Sequence, residues 1–256
     1  MDSLPSTPRG ETFREYVISL VGPTLYSIFI EGYTEKQWGA SADRLSSSIA
    51  PNRVDLRDDG ETRLFQDSFE AFPAGGMSSI LDRLAVGLRI ETCAELVLDD
   101  LGSIPADTWV VTAPLDIFSR STRPLEWRGV TLRSVYQTTN SPTDTLSPAY
   151  VVNYPHRRYP FTRTIETKHA TGQHITGTVI SYEYPGGGGR HYPVPTVDGG
   201  NERLNEALKA NIRDAVNRPI WFCGRLANYQ YINQDQAIRQ GLDVAKSIVD
   251  GSASVR

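Results

Sequence analysis

Apolar residues at Phe13, Tyr16, Val17, Leu20 and Val21 follow a helical period. Thr12 and Glu15 ahead of them have capping-box spacing, and Gly22-Pro23 interrupts the stripe, so a helix over 12–21 is expected. A second helix opens at Pro23, whose fixed φ suits a first turn. It carries Leu25, Phe29 and Ile30 as its apolar stripe and is expected to close on Gly32 as a C-cap. Residues 41–59 are polar and irregular, and Gly75-Gly76 then opens a short helix through Ile80, Leu81 and Leu84. The first third of the chain therefore reads as mainly helical.

From residue 109 the period changes. Segments 109–111, 130–136, 150–154, 161–169 and 175–184 are rich in β-branched and aromatic residues and are bounded by Pro, Gly or Asn, which predicts strands. Gly186 to Gly189 lacks the Gly-Lys-Ser/Thr ending of a phosphate loop and leads into no helix, so a flexible hairpin connection is expected there. Leu204, Leu208, Ile212 and Val216 mark an amphipathic helix over 201–217. A short apolar strand at 220–223 and a last helix over 235–249 follow.

Composition narrows the class. The chain has 256 residues, 39% of them hydrophobic and 22% charged, which gives room for one or two ordinary globular domains with a real core. The net charge of -4 supplies no basic field for a polyanion, so nucleic acid is not expected as a partner. No apolar run approaches the ~18 residues of a membrane span, and residues 1–10 do not form a signal peptide; a cytoplasmic protein with no membrane association is expected. Cys93 and Cys223 have no metal-binding spacing and read as reduced thiols. The 22 Arg against 4 Lys favour forked phosphate contacts, although arginine-rich codon usage produces the same skew.

The run Gly32-Tyr33-Thr34-Glu35-Lys36-Gln37-Trp38-Gly39 resembles the hallmark of the UDP-galactopyranose mutase family. Ile18 to Gly22, Phe72 to Gly76, Val111 to Asp116, Pro160 to Arg163, Glu166 to His169, Tyr192 to Val194 and Gly224 to Tyr231 are similar to further family blocks, in the same order. The resemblance implies an isomerase that interconverts the pyranose and furanose forms of a UDP-sugar with reduced FAD. Its fold would be α+β: a helical substrate segment and a mainly antiparallel β-sheet, with remnants of a truncated FAD-binding domain. The implied division is a helical UDP-binding segment over 1–90, a sheet domain over 91–200 and a flavin-side remnant over 201–256.

Phe29 and Tyr33 are four residues apart on one predicted helix face, which offers two rings to a planar base; the competing reading is a pair of core aromatics. The resemblance assigns substrate binding to both, and to Trp38, Arg57, Arg163, Tyr192, Tyr231 and Asn233, the last standing at a family carboxylate. Arg57, with Arg53 as the alternative, and Arg163 would neutralise the departing diphosphate, with Trp38 and Arg163 in catalytic roles. Leu64 replaces a family tyrosine and Cys223 a family glycine. Cys223 is expected to be an inert thiol, with an activated nucleophile as the alternative. Glu166 and Glu183 fall on predicted strands, where a solvated sheet charge is expected and acid–base chemistry is the alternative. No metal site is assigned to His169 and His174.

The sequence shows no strand, Gly-x-Gly-x-x-Gly turn and helix for an FAD pyrophosphate, so the chain alone is expected to bind no cofactor. Arg225 matches a flavin-side arginine and would meet a flavin only if one is supplied in trans. Three functions follow. The chain completes a mutase with a separate flavin-binding subunit, it performs other sugar-nucleotide chemistry without flavin, or it is a non-catalytic binding or assembly protein. Apolar faces around Ile220, Trp221 and Phe222 are expected to be covered by rearrangement, by a flavin-binding subunit or by a homo-oligomer.

Overall fold

The computed structural model describes residues 7–51, 56, 60 and 68–251. Thr12 caps α1 (Phe13–Leu25) in a complete capping box with Glu15. Gly22 breaks the helical path with φ +82°, so the expected stop at Gly22-Pro23 is a kink, and the chain continues through a π-turn at Tyr26–Ile30 into α2 (Glu31–Trp38). Gly32 is therefore not a C-cap. It lies inside α2, where an added Cβ would stand 2.5 Å from the Pro155 carbonyl oxygen, so its bare Cα permits the helix to touch the loop beyond it. The helix ends instead at Gly39, in the left-handed region at φ +63°. A short helix α3 (Gly76–Leu84) follows where Gly75-Gly76 placed it.

The sheets are antiparallel but for one pair. β2 (Trp127–Arg128) and β3 (Val130–Gln137) form a ribbon interrupted only at Gly129. β3 pairs with β6 (Thr178–Pro185), and β2 with β7 (Tyr192–Pro193). The glycines at 186–189 thus make no hairpin: they form an excursion inside a continuous pairing, with Gly186 N donating to Gly129 O at 2.8 Å and His191 N to Arg128 O at 3.1 Å. A Cβ on Gly129 would stand 2.6 Å from the carbonyl oxygens of Gly187 and Gly188. β4 (Val151–Asn153) and β5 (Arg163–Glu166) complete a four-stranded sheet in the order β3-β6-β5-β4. The strand expected over 161–169 is shorter, because residues 168–171 turn into a one-turn helix, α5.

β1 (Trp109–Val111) runs parallel to β8 (Ile220–Phe222), flanked by α4 (Leu115–Phe118) and α6 (Gly200–Ala215). Leu208 and Ile212 of α6 pack with Val111, Leu115, Ile220 and Phe222 in one core cluster. The chain itself thus covers the Ile220 and Phe222 side chains, which are 2% and 9% exposed. A second core gathers Phe13, Val17, Leu45, Trp38, Tyr192 and Val194 and so ties the N-terminal helices to β7. α7 (Gly224–Asn228) and α8 (Gln234–Val249) close the chain, and like α3, α8 has no buried residue. No helix among the described residues is long and apolar enough to cross a membrane.

Candidate functional site

The site is assembled where α2 docks on the four-stranded sheet, and the octapeptide 32–39 is the docking element. Lys36 Nζ lies within hydrogen-bond distance of four carbonyl oxygens of the 154–161 loop. Glu35 accepts from Arg157 Nε at 2.8 Å. Arg128 of β2 donates from Nε to Gln37 O at 3.0 Å and from Nη2 to Lys36 O at 3.1 Å, capping the helix C-terminus with a cation. A Cβ on Gly39 would stand 2.6 Å from that guanidinium carbon, so both glycines of the run are set by close approach.

This docking brings Tyr33 to Arg163 and Trp38 to Tyr192 and Tyr231. The three rings form a triangle with centroid separations of 6.0, 5.3 and 5.4 Å. Trp38 and Tyr192 are buried and also belong to the second core, whereas Tyr231 is half-buried. The Arg225 guanidinium lies 5.6 Å from the Tyr192 ring centroid and 5.4 Å from that of Tyr231. It is held there by donation to the carbonyls of His191 and Ile232.

Arg163 is the charged centre. Its Nε and Nη2 form a fork on Glu183 Oε2 at 2.8 and 2.7 Å, and Nη2 also donates to the Tyr192 hydroxyl at 3.3 Å. Glu183 is 4% exposed and its Oε1 accepts from the Thr162 hydroxyl, so the expected solvated sheet charge is in fact a buried anion. Burial works against the charge on Arg163, but Tyr33, Glu183 and Tyr192 outweigh it and hold its pKa above the ordinary arginine value. The Tyr33 hydroxyl is pushed up to about 12, chiefly by burial, with Arg163 lowering it and Glu183, Tyr231 and Tyr192 raising it. Glu183 cancels part of the arginine charge, so this centre alone is a modest anion trap and gains from a second cation.

The other candidates separate. Phe29 lies in the π-turn and is 59% exposed. Asn233 is the N-cap residue of α8, its N–H donating to Gln236 Oε1 at 2.8 Å. Arg57, Arg53 and Leu64 lie outside the described residues. Glu166 is fully buried and accepts from the backbone N–H groups of Leu146 and Ser147; it anchors a loop and is not a solvated charge. His169 Nε2 lies 2.9 Å from Ser147 O and 3.6 Å from Glu166. No group of three or more metal-ligating side chains is placed to hold an ion among the described residues. Burial pushes the Cys223 thiol up, which opposes the thiolate that a nucleophile needs.

Two open clefts lie elsewhere, one of about 440 Å³ beside Asp116 and Arg120 and one of about 570 Å³ beside Arg44 and Asp198. Neither is lined by the aromatic and arginine cluster, which is identified by the convergence of its groups.

Comparison with known proteins decides the family. A sequence model described as UDP-galactopyranose mutase matches residues 28–231, most of the chain and all of the cluster. The chain belongs to the UDP-galactopyranose mutase family. It is 26% identical over 257 residues to the Klebsiella pneumoniae protein named Probable UDP-galactopyranose mutase, covering 95% of this chain and 62% of that one. It is 25% identical over 253 residues to the dTDP-fucopyranose mutase of Escherichia coli, with 92% and 63% covered. A crystal structure of reduced UDP-galactopyranose mutase superposes with a TM-score of 0.74 at 15% identity, covering 97% of this chain and 70% of that one. The chain thus spans about three fifths of the length of these curated relatives.

The family resemblance implies FAD, and the turn where a dinucleotide seat is testable among the described residues is that between β8 and α7. Where β8 runs into α7, the helix has five residues and the Gly224 N–H is taken by Gln240 Oε1 at 2.9 Å, so it is no pyrophosphate cradle. Sequence reasoning missed Lys36, Arg128, Thr162 and the pairing role of Glu183. Lys36 could have been singled out within the mutase signature, since a lysine in an otherwise arginine-rich chain marks a place for a compact cation.

Proposed function

We propose that this chain binds a pyrimidine nucleoside-diphosphate sugar of the UDP-galactose kind on the α2–β5 shelf and serves in its pyranose–furanose interconversion. The observation that carries this reading is the convergence of Arg163, Tyr33, Tyr192, Tyr231 and Trp38 from four separate segments. Arg163 faces the diphosphate, and the hydroxyls of Tyr192 and Tyr231 donate to it as negative charge grows on the leaving group. Phe29 and Tyr33 receive the base. Arg57 supplies the second cation that the Glu183-compensated centre calls for. Asn233 lines the sugar end, and Arg225 faces a flavin supplied by another segment or subunit. That flavin-bearing unit, or a second copy of the chain, covers the apolar faces of α3 and α8. The named relatives act on UDP- and dTDP-sugars, so the shared ligand class is the pyrimidine nucleotide sugar.

Titration calorimetry with UDP, dTDP and ADP tests the reading. UDP or dTDP is expected to bind at micromolar levels and ADP at least about tenfold more weakly, with Tyr231→Phe weakening the first by about tenfold. Absence of binding by all three would overturn it. Incubating the chain with UDP-galactopyranose, with and without reduced FAD, then separates flavin-assisted interconversion from chemistry that needs no flavin.

A further inference from the structure

Lys36 sits on α2 between Tyr33 and Trp38, and its ammonium points into a ring of backbone oxygens. Tyr154 O, His156 O, Tyr159 O and Phe161 O lie 2.5, 3.2, 3.2 and 2.9 Å from Nζ. An ammonium has three N–H bonds, so four oxygens cannot each receive a directed one. At least one N–H is therefore shared between oxygens, and the lining is of the kind that carbonyl-lined ion sites present to a spherical cation. Lys168 makes the contrast: its Nζ meets three carbonyls, Asp144 O, Ile175 O and Gly177 O, at 2.8, 2.8 and 3.1 Å, one for each N–H.

The four oxygens come from the loop that delivers Arg163. Tyr154 N donates to Thr162 O at 2.8 Å, closing the loop's neck, and Thr162 N donates to Glu183 O at 2.9 Å just before the arginine. Closing the 154–161 loop on a cation carried by α2 therefore sets how Arg163 approaches Tyr33. The planar fork of arginine would not centre in such a ring, which accounts for lysine at this position.

We propose that Lys36 is a positioning residue acting as a tethered monovalent cation, and that its removal leaves a carbonyl cage able to take a free cation of ammonium or potassium size. The role in binding rests on the nucleotide-site reading given above; the cage does not.

The test uses Lys36→Ala in potassium, ammonium, sodium or tetramethylammonium chloride at equal ionic strength, read by UDP calorimetry and by thermal melts. In tetramethylammonium, UDP affinity is expected to fall about tenfold or more. Potassium and ammonium should restore most of that affinity and raise Tm along a saturable curve, while sodium does so poorly and the unaltered chain ignores the choice of salt. Lys36→Met, whose stem fills the cage, should weaken binding without cation rescue, and Lys168→Ala should lower Tm with less than about a twofold change in UDP affinity. Lys36→Ala binding UDP like the unaltered chain in tetramethylammonium, or the four salts acting alike on both readouts, overturns the proposal. If the unaltered chain binds no nucleotide, the functional reading fails while the melts still decide the cage. If Lys36→Ala does not fold in tetramethylammonium, folding in potassium but not in sodium supports the cage and failure in both rejects it.

Discussion

Helix α2 is polar, yet four of its eight residues are buried, whereas α8 is twice as long, carries an apolar stripe through Ile238, Leu242 and Val249, and buries none. Those three side chains are 47, 55 and 85% exposed, and Leu81 and Leu84 of α3 are 61 and 62% exposed. Hydrophobic pattern alone would rank the helices the other way. What buries α2 is a set of specific polar contacts: Lys36 in its carbonyl ring, Arg128 on the helix end, and the glycines that allow close approach. The α2–β5 cluster is held together by groups within the chain, while Leu81, Leu84, Ile238, Leu242 and Val249 of α3 and α8 stay exposed among the described residues.

The sharpest way to break the contrast is at the shelf's charged centre. Arg163→Met leaves Glu183, a 4% exposed carboxylate, without its counter-ion. Uncompensated buried charges cost about 3 to 5 kcal/mol, so urea unfolding should lose that much stability, along with nucleotide binding. Replacing Glu183 by Leu in the same chain should regain most of the stability and none of the binding. Loss of binding without loss of stability in Arg163→Met would show that the ion pair does not organise the shelf.

Next comes a matched pair of aliphatic truncations. Ile212 is fully buried in the α6 core, and Ile212→Ala should cost about 2 to 5 kcal/mol. Leu242→Ala on exposed α8 should cost less than about 0.5 kcal/mol in dilute protein. If the Leu242 cost grows with protein concentration, a second copy covers α8. If it is large at every concentration, α8 is packed within the chain and the contrast fails.

Much of this was legible in the sequence, and the failures have common causes. Period and capping placed α1, α6, α8 and the long strands, because those signals are local. Gly32 was misjudged because a glycine required by the approach of a distant backbone carries the same letter as one required by a left-handed turn. The glycine run at 186–189 was misjudged because its loop conformation is fixed by pairing across Gly129, nearly sixty residues away. Tyr33, Trp38, Arg163, Tyr192 and Tyr231 were found through motif likeness and do converge. The burial of Glu166 and Glu183 was missed because alternation along a strand tells which side a residue faces and not what packs over it.

The smallest effect concerns that second carboxylate, which lies away from the shelf and separates structural from functional burial. Glu166 is fully enclosed, and although burial opposes its charge, the backbone N–H groups of Ser147 and Leu146 donate to it and hold its pKa below the ordinary glutamate value. In the unfolded chain the same group titrates near 4.3, so between the two values the unfolded state binds more protons and stability rises with pH. The stabilisation is fully present above about pH 5 and is lost as pH falls through the lower, folded-state value. Glu166→Gln should therefore flatten the acid limb of the stability profile below about pH 4 while leaving UDP affinity near neutrality unchanged. An acid limb as steep as that of the unaltered chain would place the responsible carboxylate elsewhere.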